Sequence, residues 1–562
     1  MSFFVFADRP TDPAVLSRAH RIAGGDIARH ASGNPWTVGR RDDSDHVLTS
    51  TDGVTRVRGT LSTSAHVFWG RSGDVPVASG SVEALVALLD PDIDEVSLAL
   101  SLVPSLPILP FATRTMWSGI QAVPVGHLLE MPAAGGPRTV RWWEPPGTGR
   151  RTVAESAEAV RAALLAAIGA AAGDEPLVSA DLSGGLDSTS ICYLLAHLGQ
   201  DFLAYRTSSM SRWNDETARA HEAAADLGVE ITQFPPLAEL SSAFDTSPVT
   251  DSALVAAGPI PWVASRGYLD VLSESVAAAG SRVHFTGLGG DELFDVLPAQ
   301  YRALWQENGA RSLPQLRRIQ LNRKVPLRPF LRGVTRGRPY AEQLAKVAGD
   351  LRANRPPEPA DQHSWFPVPV PPRWVAGDTR ALAAEAFTEA ARAGLVPLGA
   401  TEATHQMMEA VAFQGAVIRQ FGEVYARHGI SWQAPFIDQR VVEAVLGVRV
   451  SERMDARVDK PLLAAAMAPV MPPGPFAKQD RGDFTLDIYD EHEKRRDELL
   501  GWFDDSLLVE RGLVDAGRLR PFLHAPSFAD VGLIDLENVV GVERWLRAAV
   551  SRRSAVAQEI AP

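Results

Sequence analysis

Two short stretches carry residue types suited to chemistry on a phosphate. Ser183-Gly184-Gly185-Leu186-Asp187-Ser188 follows an apolar run of strand length, 176–182, and precedes 189–195, which reads as a buried helix. At such a switch, two glycines let the backbone pass close to a ligand and adopt positive φ. Ser183 and Ser188 add hydroxyl donors. The helix start adds unpaired N–H groups and roughly half a positive charge. Together these make a cradle for phosphate. Asp187 is an anion in an anion site; it calls for a cation, and Mg²⁺ suits. The plain alternative is a tight strand–helix turn with a capping aspartate. The loop lacks the Gly-Lys-Ser/Thr of the common P-loop.

Gly287-Leu288-Gly289-Gly290-Asp291-Glu292 follows a second strand-like run, 281–286. Two glycine-rich switches, each with an aspartate, suit one nucleotide and its metal at the carboxyl ends of a parallel sheet. The pair of motifs, in this order, resembles the asparagine synthetase superfamily. That resemblance implies an α/β protein in two parts. The first is an N-terminal Ntn-hydrolase-like α+β sandwich. The second is a parallel-sheet, adenine-nucleotide α-hydrolase-like synthetase domain with many helices. It also implies ATP and Mg²⁺, with Asp187 and Asp291 as metal ligands. Ser183, Gly184, Gly185, Ser188, Gly287, Gly289 and Gly290 would hold the nucleotide. The strand 202–207, ending at Thr207, resembles the family strand that lies beside the adenine. Lys478, in Phe476-Ala477-Lys478-Gln479-Asp480-Arg481-Gly482, sits where amide- and lactam-forming members carry a lysine aimed at the acyl-adenylate. Asp215 and Glu216 match a family acidic pair, or simply cap a helix.

Composition bounds the reading. The chain has 562 residues, enough for a large core. Its net charge of −13 argues against a generic nucleic-acid binder. One cysteine, Cys192, leaves no internal disulfide and fits a reducing cytoplasm. The N-terminus has no basic signal region, and no apolar run is long enough to span a membrane.

The elements that position these motifs divide into two domains. Residues 1–148 read as short strands with a few helices, and the end of this part resembles the family's glutaminase-like domain. That domain uses a cysteine at position 2; here the residue is Ser2, so an inactive glutaminase-like domain is expected. Residues 149–562 form the ATP-binding, cyclase-like domain, opened by an amphipathic helix over 152–172. Within it, 296–375 is a basic and proline-rich insertion. Arg311, Arg317, Arg318, Arg323, Lys324, Arg328, Arg332, Arg336 and Arg338 lie in a stretch, 308–340, without an acidic residue. A solvated surface explains it, as does a face for an acidic peptide or a partner protein; few aromatics argue against nucleic acid. Asp438, in Ala434-Pro435-Phe436-Ile437-Asp438, is expected to be structural.

Loss of the cysteine with retention of the ATP half points to an amine other than ammonia. Two family branches fit: β-lactam synthetases and the macrolactam cyclases of lasso peptide biosynthesis. The first carry a tyrosine where this chain has Leu288. The segments 434–445, 460–467 and 542–547 resemble lasso cyclases. The implied reaction adenylates an Asp or Glu side chain of a leader-free core peptide. It then joins that side chain to the peptide's N-terminal amine, releasing AMP and pyrophosphate. Implied partners are the precursor core peptide, a leader peptidase and a leader-recognition protein, without membrane or nucleic acid. A β-lactam-synthetase-like or ammonia-dependent amide synthetase acting on a small molecule, and a non-catalytic scaffold for a maturation peptidase, are the rival readings.

Overall fold

The computed structural model describes residues 3–7, 11–23, 27–29, 36–38, 46–51, 53–103, 111–147, 149, 151–208, 216–240, 242–259, 265–358, 361, 363–454, 458–472, 485–524 and 532–560. Ser2, Asp215 and Lys478, all singled out above, lie outside the described residues.

The N-terminal part is built on two antiparallel sheets. Six strands run in the order Ile27–Arg29, Trp36–Val38, Phe4–Phe6, Val75–Ser79, Phe68–Ser72, Gln121–Ala122. Four run in the order Arg138–Arg141, His127–Pro132, Val54–Arg58, Val47–Thr51. The first strand shows why they stack. Side chains alternate along a strand, so Phe3, Val5 and Ala7 pack with Val57, Leu129 and Met131 of the other sheet. Phe4 and Phe6 point the other way, into a helical layer. That layer includes Val82–Leu89 and the C-terminal helix Gly532–Ile560, whose Trp545 and Leu546 share the core with Phe4 and Phe6. The far end of the chain therefore closes the beginning.

The C-terminal part is an α/β unit around a five-stranded sheet, ordered Ile231–Phe234, Asp201–Thr207, Leu177–Asp181, Val283–Phe285, Ser431–Gln433. All its pairings are parallel. Parallel strands are covered on both faces; Val178, Ser179 and Ala180 are buried in succession accordingly. The helix Val153–Ala172 opens this part with a capping box between Thr152 and Glu155. It packs on Gln439–Leu446 and Pro461–Met467. Asp438 caps the first of these, accepting from Arg440 N at 2.8 Å and pairing the Arg440 guanidinium at 2.9 Å. It is structural, as expected.

The basic insertion folds as helices Leu313–Asn322 and Leu327–Thr335 on a small core of Tyr301, Leu304, Leu316, Phe330 and Val334. Beyond it, Phe366 and Trp374 anchor the proline-rich connector, each almost fully buried. Among the described residues, no helix is long and apolar enough to cross a membrane.

Candidate active site

Both glycine-rich loops leave the carboxyl ends of neighbouring strands, Leu177–Asp181 and Val283–Phe285. The first is pinned by its own hydroxyls. Ser183 Oγ lies 2.8 Å from Ser188 Oγ, and it accepts from Gly185 N at 3.1 Å. Ser188 Oγ accepts from Ser183 N at 3.2 Å. Gly184 has φ +91°, and a Cβ there would stand 2.0 Å from the Glu216 carbonyl oxygen. Only glycine fits this position. Arg219 ties the loop down, donating from Nε to the Gly184 carbonyl at 3.2 Å. Gly185 starts the helix Leu186–His197 without a side-chain cap. Its first N–H groups therefore remain for a ligand.

The second loop presses onto the first. A Cβ on Gly287 would meet Ser188 N at 2.8 Å, and one on Gly290 would meet Asp187 Cγ at 2.2 Å. Gly289, at φ +93°, has no room for a Cβ beside Ile437. This close approach brings Asp291 to Asp187, and a third residue joins them. Lys460 Nζ donates to Asp187 Oδ1 at 2.6 Å and Oδ2 at 2.5 Å. It stands 2.7 Å from Asp291 Oδ1.

Lys460 was not among the site residues expected from the sequence. It sits before Pro461 at the start of the helix Pro461–Met467, in the left-handed region with φ 48°. A left-handed non-glycine residue costs about 1–2 kcal/mol, and a cation at a helix start opposes the helix dipole. A lysine in that place needs another reason; the sequence showed only a cation directly before Pro461, and the left-handed φ came with the structure. Its reason is the two carboxylates. Burial lowers the Lys460 pKa, but Asp187, Asp291 and Asp295 outweigh it and hold the ammonium above its ordinary value. Burial pushes the Asp187 carboxyl up to about 6, Lys460 opposing and Asp291 and Asp295 adding to the rise. The two shifts pull opposite ways on one pair. The charged ammonium is the firmer member, because two carboxylates face it.

These residues border a cavity of about 480 Å³. Ser183, Gly184, Gly185, Asp187, Ser188, Thr207, Gly287 and Asp291 line it, as do Lys460 and Arg206. Gly289 and Gly290 stand behind it, where they permit the loop contact. Arg206 is 4% exposed. It donates from Nη2 to Thr217 Oγ1 at 3.0 Å, while its Nε and Nη1 meet no partner among the described residues. Buried N–H groups left unmet are costly; anionic oxygens in the cavity would satisfy them. A glycine cradle, an uncapped helix start and these donors fit a nucleoside polyphosphate. Among the described residues no group of three or more His, Cys, Asp or Glu side chains could hold a metal. Two carboxylates alone suit Mg²⁺, which keeps water and phosphate oxygens in its shell rather than an all-protein cage. The Asp291 side chain is 59% exposed and offers the open face; that of Asp187 is 17% exposed, with both oxygens engaged by Lys460.

A family model described as asparagine synthase matches residues 159–547. Among curated proteins the chain finds no match. The matched span takes in both loops, Asp187, Asp291 and Lys460, and with them comes ATP-dependent amide-bond formation in general terms. The chain belongs to the asparagine synthase family.

Proposed function

We propose that this chain is an ATP-dependent macrolactam synthetase acting on a peptide. It adenylates an Asp or Glu side chain of a leader-free core peptide and closes it onto the peptide's N-terminal amine. The observation that carries the reading is the ammonium of Lys460 held between Asp187 and Asp291 beside a glycine-lined cavity. Two further features support the choice of amine and ring. The chain's single cysteine, Cys192, is buried and its thiol is pushed up by burial. The chain thus offers no cysteine to release ammonia from glutamine. Leu288 lines the cavity where β-lactam synthetases carry a tyrosine.

In the first step a peptide carboxylate oxygen attacks the α-phosphorus of ATP and pyrophosphate leaves. The loops around Ser183 and Gly287 hold the phosphates through N–H and hydroxyl donors, and Arg206 adds its free guanidinium N–H groups. Asp187 and Asp291 would hold Mg²⁺, which supplies charge neutralisation for the phosphates when bound. In the second step the peptide α-amine attacks the acyl carbon, AMP leaves, and the amine loses a proton. An α-amine titrates near 8, so a useful neutral fraction exists without a dedicated base. Lys460 holds Asp187 and Asp291 in place through its three ammonium N–H groups. Stabilising charge on the departing group, an effect on the order of 10²–10³ in rate, falls to Lys478, which lies outside the described residues. A maturation peptidase and a leader-recognition protein would supply the leader-free substrate in the cytoplasm.

The test incubates the protein with ATP, Mg²⁺ and the core peptide encoded beside its gene, and follows mass. Loss of one water from the peptide, with AMP formed, is the expected result. AMP formed only with small amines would overturn it in favour of a small-molecule amide synthetase. No AMP under either condition would leave a scaffold.

A further inference from the structure

The basic insertion takes no part in the site above, yet it is built onto the segments that make it. Helix Pro298–Asn308 follows directly on Gly290–Phe294, which carries Asp291. Glu307, on that helix, accepts from Val450 N at 3.0 Å and Ser451 N at 2.9 Å. Met454 of the same segment, shortly before Lys460, packs against the insertion's core. Whatever seats on the insertion therefore sits on a body joined to both Asp291 and Lys460.

The insertion's surface is one-signed. Arg311, Arg317, Arg318, Arg323, Lys324, Arg328, Arg332, Arg336 and Arg338 are all exposed. Arg338 pairs Asp361 at 2.9 Å; none of the other eight has a carboxylate partner among the described residues. Leu313, Leu321 and Leu327 stand exposed among them. Between Arg332, Arg336 and Arg338 opens a cavity of about 450 Å³, bordered also by Gln343, His363 and a single carboxylate, Glu358. Gln343 is fully buried, and neither its amide nitrogen nor its oxygen meets a partner among the described residues. An amide with both ends unmet, beside guanidinium groups, matches a carboxylate oxygen and an adjacent peptide N–H. A nucleic-acid phosphate offers only acceptors and would leave the Gln343 oxygen unmet.

We propose that this surface docks an acidic stretch of the polypeptide on which the site acts, one carboxylate seating between Arg332, Arg336 and Gln343. Leu313, Leu321 and Leu327 receive its apolar side chains. This rests on the peptide-ligase reading.

The test has two arms. The first measures anisotropy of a short fluorescein-labelled peptide of alternating Glu and Leu, without ATP, on the full chain. Arg332→Glu with Arg336→Glu is expected to weaken binding about tenfold or more, and Gln343→Leu to weaken it less. Both arginines are exposed, so an unchanged melting temperature checks the fold. A Lys-for-Glu peptide is expected not to bind. Equal binding of a single-stranded oligonucleotide, or no loss in the double variant, overturns the proposal. The second arm uses the core peptide and ATP. The double variant is expected to raise KM for peptide while leaving KM for ATP and kcat in place; an unchanged peptide KM overturns the substrate assignment. The binding arm reads docking whether or not a lactam forms. Absence of AMP with binding retained thus faults the reaction alone.

Discussion

Lys460 Nζ lies 2.5 Å from Asp187 Oδ2, joining residues 273 positions apart in the chain. The ion pair is shielded, with side chains 4% and 17% exposed. Breaking a buried pair by removing one partner leaves an uncompensated charge.

Lys460→Met is therefore expected to cost about 3 kcal/mol of stability, read from denaturant unfolding. By releasing Asp187 and Asp291 from their shared position it is also expected to lower amide formation by about 10²-fold. Adding Asp187→Asn to it should recover much of the stability and none of the activity. If the single variant keeps the wild-type rate, the ammonium is structural only.

Asp187→Asn and Asp291→Asn are each expected to abolish ATP–pyrophosphate exchange. The Asp291 side chain is 59% exposed and Asp187 still faces Lys460 when Asp291 is neutralised, so that variant should lose less stability than Lys460→Met. Wild-type exchange in either variant would remove that residue from the cation site.

Asp187 titrates at about 6 instead of the usual 3.8, chiefly through burial. The folded protein thus binds this proton more tightly than the unfolded chain. Its contribution to stability is present below 3.8 and is lost as pH rises through about 6. The stability slope across that window should flatten in Asp187→Asn. Cation binding needs the ionised form, so Mg²⁺ affinity measured by calorimetry should fall as pH drops below about 6. A flat Mg²⁺ affinity from pH 7 to 5 would separate the metal from this carboxylate.

Gly290→Ala places a Cβ 2.2 Å from Asp187 Cγ. The loops must part to admit it. A shift on the order of 1 Å at reacting groups costs about 10²-fold, so exchange should fall by that order while the core far from the loops is untouched. Unchanged exchange would mean that the loop contact does not set the site.

Much of the site was legible because its parts are local. A strand handing over to a helix through Ser-Gly-Gly, with an aspartate in the first turn, announces itself over a few residues. So do the second loop and the amphipathic helix that opens at Thr152. The sequence reading missed Lys460 and Arg206. Each looks like an ordinary cation until the fold buries it, and only the place of Lys460 directly before Pro461 hinted otherwise.

By itself the sequence determined the α/β class, the two glycine-rich loops and their aspartates, since spacing and residue type act within single elements. It also determined the local charge reversal over 311–338. The tertiary structure decided what those elements face. It set the second loop on the first, delivered Lys460 from the start of a distant helix, and left Gln343 without a partner among the described residues beside the exposed arginines. It also closed the N-terminal sheet with the C-terminal helix. These contacts depend on how a parallel sheet orders strands far apart in the chain and on which polar groups packing leaves without partners, and neither is encoded in any one segment.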